Sequence, residues 1–268
     1  MNHLYRDLAP ISEAGWEAID QEATSRFTTY LAARKLVDFA GPYGWAHSAT
    51  NLGRSTEIAG PSEGVTATQR RVLPLVELRT EFSVSRVQLD DADRGATDID
   101  LAELDEAVRQ IAVAENVSVF HGYQGAGLRG VTECTSHAPI VYGDDMEQYV
   151  NVVARAADVL RQTGIDGPYG MAICPKVYTS IVETTEHGGY LLLDHLRQIL
   201  GGPLVWAPGV EGAIVLSLRG GDFLFDSGQD LSIGYLDHDA DTVRLYIEES
   251  FSFRVDEADA AVALLPAG

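Results

Sequence analysis

Asp237, Asp239 and Asp241, with Glu248 seven residues further on, stand at the 1, 3, 5 and 12 spacing of a calcium loop. The sixth position, where the sharp turn needs glycine, is Thr242, and the flanking residues alternate as strands rather than repeat as helices. The acidic run therefore reads as a solvated hairpin tip. Gly125-Ala-Gly127-Leu-Arg-Gly130 matches the dinucleotide fingerprint letter for letter. That motif works only where a helix opens, so that its amides meet a pyrophosphate, and VTECTSHAP, which follows, does not read as one. Cys134 and His137 lie three residues apart in a loop, a spacing that does not by itself make a nucleophile and its base. The seven histidines include no HExxH pair, and there is no CxxC, GxSxG or glycine-rich lysine loop. No catalytic residue, metal ligand or cofactor site is assigned from this inventory.

The elements around these residues are more informative. From Val243 to Val255 the odd positions are apolar except for Glu249, while the even ones are mostly polar. A period of two marks a strand with one buried face, here the second arm of a large hairpin, Gly220 to Val255. At the other end of the chain, residues 12–37 read as a helix capped by Ser12. Trp16, Ile19, Ala23, Phe27, Tyr30 and Leu31 form its stripe, and Arg26, Arg34 and Lys35 gather late, where they complement the helix dipole. Residues 48–71 are rich in Gly, Ser, Thr and Pro and form two extended arms about a PSEG tip, projecting without a core of their own. A strand at 76–84 follows. Residues 98–115 read as a helix with an Asp100/Glu103 capping box, and VSVF at 117–120 as a short strand. Residues 145–225 alternate helix and strand as a separate α/β block: a helix stopped at Gly164-Ile165, a strand at 170–174, a helix opened by Pro175, the EHGGY loop at 186–190, a helix at 191–200 and a strand at 212–219.

Composition narrows the function classes. The 268 residues are 46% apolar, enough for a sizeable core, and carry 19 basic against 40 acidic residues, a net −21. Nucleic acid needs a positive footprint, which is missing. Only Lys35 and Lys176 are lysines; the other basic residues are arginines, suited to planar contacts between protein surfaces or reflecting codon usage. The first twenty residues hold no apolar signal core and no run is long enough to span a bilayer, so the expected location is cytoplasmic. Two cysteines do not make a disulfide framework.

LAPISEAGWEAID, RKLVDFAGPYGW, LPLVELR, FHG and GGDFLFDSGQDLSIGYLD, spread over nearly the whole length, closely resemble the encapsulin shell proteins, protomers of bacterial nanocompartments. The resemblance implies an α+β fold, that of the major capsid protein of tailed phages. It would divide the chain into a peripheral domain (1–47, 81–133 and 223–268), an extended loop (48–80) and an axial domain (134–222). It also implies self-assembly into a closed icosahedral shell of about 60 copies or a multiple. Such shells enclose a cargo enzyme, a dye-decolourising peroxidase or a ferritin-like protein, held by its C-terminal targeting peptide. By position, the peptide site would be Phe27, Arg34, Asp38, Asp230, Leu231 and Ile233; core packing is the competing reading for Phe27, Leu231 and Ile233. Glu186, His187, Gly188, Gly189 and Tyr190 correspond to the five-fold pore, where a ring of histidines would respond to pH near neutrality. Some relatives bind a flavin beside an aromatic on the stretch matching 85–91; here SRVQLDD has none, and no cofactor is expected. A viral capsid-like protein, and then a bacteriocin or hydrolase, are the competing functions.

Overall fold

The computed structural model describes residues 3–143, 145–185 and 191–267. Ser12 caps the first helix, α1 (Glu13–Tyr30), its Oγ accepting from the Gly15 amide at 3.0 Å. The helix stops seven residues short of the expected end at 37, and Asn116 is the reason. The Asn116 side-chain oxygen accepts from the amides of Ala32 and Ala33, both at 3.0 Å, and its Nδ2 donates to the carbonyls of Tyr30 and Pro208 at 2.9 and 3.1 Å. Completely buried and fully bonded, it turns the chain into a single 3₁₀ turn, Ala33–Lys35, ahead of β1 (Asp38–Ala40). Arg34 and Lys35 therefore lie beyond α1 rather than in its last turn, and of the two it is the Lys35 ammonium that reaches back to complement the helix end, donating to the Thr28 carbonyl at 2.7 Å.

Next come β2 (Ala49–Ile58) and β3 (Ala67–Pro74), which pair only with each other and are exposed along most of their length. They form the naked arm expected from composition. The following strand, β4 (Val76–Ser85), is continuous and pairs with the main sheet from residue 76, so a boundary at residue 80 falls inside it. After α2 (Arg86–Asp93) comes α3 (Ala102–Phe120), which takes in the expected strand at 117–120 as its last turn. A short apolar run does not tell strand from helix, and here Val119 and Phe120 are buried as helical residues. Nor is there a capping box at its start. Asp100 Oδ1 accepts from the Ala102 amide at 3.0 Å, while Glu103 Oε2 reaches the Ser83 amide at 2.9 Å and ties the helix to β4. One further helical turn, α4 (Val131–Cys134), lies where none was expected.

The α/β block contains β5 (Ile140–Tyr142), α5 (Tyr149–Gln162), β6 (Tyr169–Ile173), α6 (Pro175–Glu183), α7 (Leu192–Leu200), β7 (Leu204–Trp206) and β8 (Ala213–Ser217). Gly164, at φ +81°, ends α5 as expected, with the Ile165 amide returning to the Leu160 carbonyl at 2.9 Å. The chain closes with β9 (Phe223–Ser227), β10 (Ser232–His238), β11 (Thr242–Val255) and β12 (Ala261–Pro266). The last of these corrects the expected division. Rather than staying with 223–255, β12 enters the second sheet, whose order is β5-β12-β8-β6-β7. Ala261 to Leu264 are buried and apolar on both faces, as a strand lying inside a sheet requires.

The first sheet is built on β11. Strand β4 pairs along one edge, and β10 and then β9 pair along the other, with β1 parallel to β9 beyond. On the odd face, Val243, Leu245 and Ile247 pack with Ile19, Phe82, Leu104, Val108 and Ile111 from α1, β4 and α3. Phe251 and Phe253 belong instead to the larger core shared with the α/β block. Glu249, 1% exposed, sits at the seam between the two. The even face, expected to meet solvent, is largely covered. The Arg79 guanidinium lies 3.5 Å from the Tyr246 ring centroid, Ser252 shares a hydrogen bond of 2.8 Å with Thr50, and Glu248 faces Gln229 and His3.

Candidate docking groove

Where α1 ends, Thr24, Phe27, Thr28 and Leu31 line a surface groove with Arg34 and Lys35 from the following turn and with Asp230 and Leu231 from the loop before β10. The half-buried Phe27 and Leu231 give the groove apolar surface, and Asp230 and Arg34, paired with each other, give it charge. Four of the six residues proposed for peptide docking, Phe27, Arg34, Asp230 and Leu231, are thus brought together. Ile233, two residues further and 5% exposed, is a buried member of the core beneath α1, against which Leu231 is only partly buried. Asp38 lies outside this groove, its Oδ2 accepting from the Gly221 amide at 2.6 Å at the start of β9. The residues expected at a pore, Glu186 to Tyr190, lie outside the described residues.

The groove's polar floor is an ion network. Arg34 donates from Nη1 to Asp230 Oδ1 at 2.6 Å, from Nε to Glu115 Oε2 at 2.6 Å and from Nη2 to Glu249 Oε2 at 2.8 Å. Phe39 and Phe225 lie with ring centroids 5.0 and 5.4 Å from the guanidinium carbon. Burial alone would make the Arg34 cation easier to lose, but Glu115, Glu249 and Asp230 outweigh it and raise the pKa of Arg34. The reading of the sequence missed Glu115 and Glu249. Their signal was available: each is an acid in an apolar phase, Glu115 four residues after Ile111 on α3 and Glu249 between Ile247 and Phe251 on β11. A carboxyl group on a buried face needs a cation or a proton.

Elsewhere the suggestive motifs serve the backbone. Asp239 Oδ1 accepts from the Asp241 and Thr242 amides at 2.8 and 2.7 Å, closing the hairpin tip. Tyr123 and Leu128 exchange backbone hydrogen bonds around Gly125 and Gly127, and a Cβ at Gly130 would sit 2.2 Å from the Gly122 nitrogen. These glycines allow a tight turn and a close backbone approach. Burial raises the Cys134 thiol, and the His137 ring contacts the Asp259 carbonyl at 3.1 Å, so neither is set up for nucleophilic chemistry. The stretch 85–91 forms the start of α2, with Leu89 buried. Among the described residues no helix is long and apolar enough to cross a membrane, and no three His, Cys, Asp or Glu gather as a metal site.

Residues 1–252 match the family model described as encapsulating protein for peroxidase. Over 270 residues the chain is 46% identical to the Type 1 encapsulin shell protein of Rhodospirillum rubrum, an alignment covering 98% of this chain and 96% of the relative. In structure it is similar to a virus-like particle from Pyrococcus furiosus, with TM-score 0.63 and 18% identity over 92% of this chain and 98% of the other. It is also similar to the capsid of an empty GTA particle, with TM-score 0.55 and 15% identity over 88% and 90%. At these identities the structural likeness is one of fold, the α+β capsid architecture.

Proposed function

Because the chain belongs to the family of encapsulating shell proteins, we propose that it closes with copies of itself into an icosahedral shell around a peroxidase-class enzyme. The protein is a structural shell protomer rather than an enzyme. The proposed particle holds about 60 copies or a multiple, since identical interfaces propagate until the shell closes. Its cargo is held in the cytoplasm-assembled shell by a C-terminal peptide lying along Phe27, Leu31 and Leu231, oriented by Asp230. The observation that supports this is the groove itself, apolar walls over a fixed ion network at the end of α1. A weakly held, extended peptide suits such a groove, because many equivalent sites on one shell raise avidity without any new contact.

Light scattering on the purified protein, with electron micrographs of the same fraction, is expected to show hollow, uniform particles. A stable monomer or small oligomer would refute the shell reading for this chain. Co-expression of cargo with a Phe27→Asp/Leu231→Asp variant is expected to give particles of unchanged mass that retain less than about a tenth of the enzyme. Undiminished loading would place the peptide elsewhere.

A further inference from the structure

Glu115 and Glu249 come from α3 and β11 and meet where the two cores abut, at 0% and 1% exposure. The charged groups facing them are Arg34, from the turn after α1, and Asp230, from the loop before β10. Strand β4 sets only Leu78 opposite Glu249, and Asn116, next to Glu115 on α3, is committed to the end of α1. Arg34 holds the two carboxyl groups through neighbouring nitrogens of one planar fork, Nε at 2.6 Å and Nη2 at 2.8 Å. So placed, each carboxyl group keeps its Oε1 atom buried with no hydrogen-bond partner. Two ionised carboxylates only accept, so neither can satisfy the other's buried oxygen, whereas one proton held between them can. Charge counting agrees, since one guanidinium does not neutralise two buried carboxylates and Asp230.

We propose that Glu115 and Glu249 share a single proton and act as an alkaline-sensitive latch between α3 and β11. As pH rises the shared proton passes to solvent, the pair gains one negative charge, and two buried carboxylates then repel across the seam. The latch goes beyond peptide docking and stands without it, because every group in it belongs to this chain. Burial, reinforced by the charge of Glu115, pushes Glu249 well above the usual carboxylate range; burial also raises Glu115, against the pull of Arg34. In the unfolded chain both groups have lost their protons by about pH 5. The folded protein therefore binds the extra proton at neutral pH, and its stability falls as pH rises until the pair ionises.

Infrared spectra of the assembled protein test this without any cargo. A protonated-carboxyl carbonyl band is expected at neutral pH in the wild type and is expected to vanish at alkaline pH. It should be missing from both Glu115→Gln and Glu249→Gln but kept in Glu248→Gln, which alters a different buried carboxyl group. Glutamine keeps the shape of the protonated acid, so Glu249→Gln should fold. Between about pH 6 and about pH 9 the wild-type melting midpoint should fall about 5 °C further than that of Glu249→Gln. A wild type without the band, a band surviving in both glutamine variants, or midpoints moving in parallel would overturn the latch. Failure of the docking reading, by contrast, shows only in cargo retention.

Discussion

Arg34→Ala is expected to destabilise the protomer by about 3–5 kcal/mol, the usual cost of stripping the partner from a buried charge. The value is high because the loss is threefold. Glu115 and Glu249 are essentially unexposed and would face each other with no cation, and Asp230 would lose the group that orients it. Lysine is a poor substitute: a single ammonium does not span three acceptors that a planar fork reaches at 2.6, 2.6 and 2.8 Å. The deficit has a direction in pH. Without Arg34 both glutamates must be protonated to stay buried, so the variant should recover stability as pH falls toward the ordinary carboxylate range. Chemical unfolding of wild type and variant at several pH values gives the comparison. A loss below about 1 kcal/mol, the range of exposed ion pairs, would mean that the network is hydrated and does not hold the groove. Replacing all three partners together, as Arg34→Met/Glu115→Gln/Glu249→Gln, should restore much of the stability, since the cost lies in the unpaired charge.

How this site escaped the sequence illustrates what periodicity reports. Alternation along β11 correctly placed Val243, Leu245, Ile247, Phe251 and Phe253 on one face. It also put Glu249 there, and treating that residue as an exception to the pattern concealed its meaning. Periodicity says which face a side chain leaves, whereas the partner that makes burial tolerable comes from 215 residues away in the chain. The same gap explains the misjudged end of α1. Nothing local stops a helix at Tyr30; Asn116, on another helix, does so by capturing the next amides. Distant pairing likewise decided β12, whose apolar letters fit a buried strand but carry no mark of which sheet receives it.

What local chemistry controls was legible. Ser12 capped its helix, Gly164 ended α5, Pro175 opened α6 and the acidic tip of the last hairpin closed on Asp239. The groove at the end of α1 was legible in part. Positions carried over from the resembled family gather Phe27, Arg34, Asp230 and Leu231, yet Ile233 is buried in the core beneath α1 and Asp38 is occupied at Gly221. A residue's place in a motif fixes its address along the chain. Its direction depends on the strand or turn beneath it.

Deleting the outer arm, residues 54–71, and joining Gly53 to Val72 through a short glycine-serine turn should abolish the particle while leaving the protomer folded. None of the deleted residues belongs to either core, whose contributions from this region begin at Val76. The retained root still supplies Thr50, which bonds Ser252 at 2.8 Å. A lone two-stranded hairpin is marginal in water, and this one leaves its outer strand edges unpaired. Its charge adds to the argument. Arg54 stands directly opposite Arg71, an unfavourable cross-strand pair, and with Arg70 they face only Glu57 and Glu63 on the arm. On a chain of net charge −21, such a basic projection is electrostatically complementary to the body of a neighbouring copy. Circular dichroism and melting of the deletion variant should match a folded protomer, while light scattering should fall from particle to protomer scale. Raising salt should weaken assembly of the intact chain in the same direction, because exposed charges are screened beyond about 8–10 Å at moderate ionic strength. Particles of undiminished mass from the deletion variant would show that the arm is dispensable and that closure rests on the two sheets and their helices.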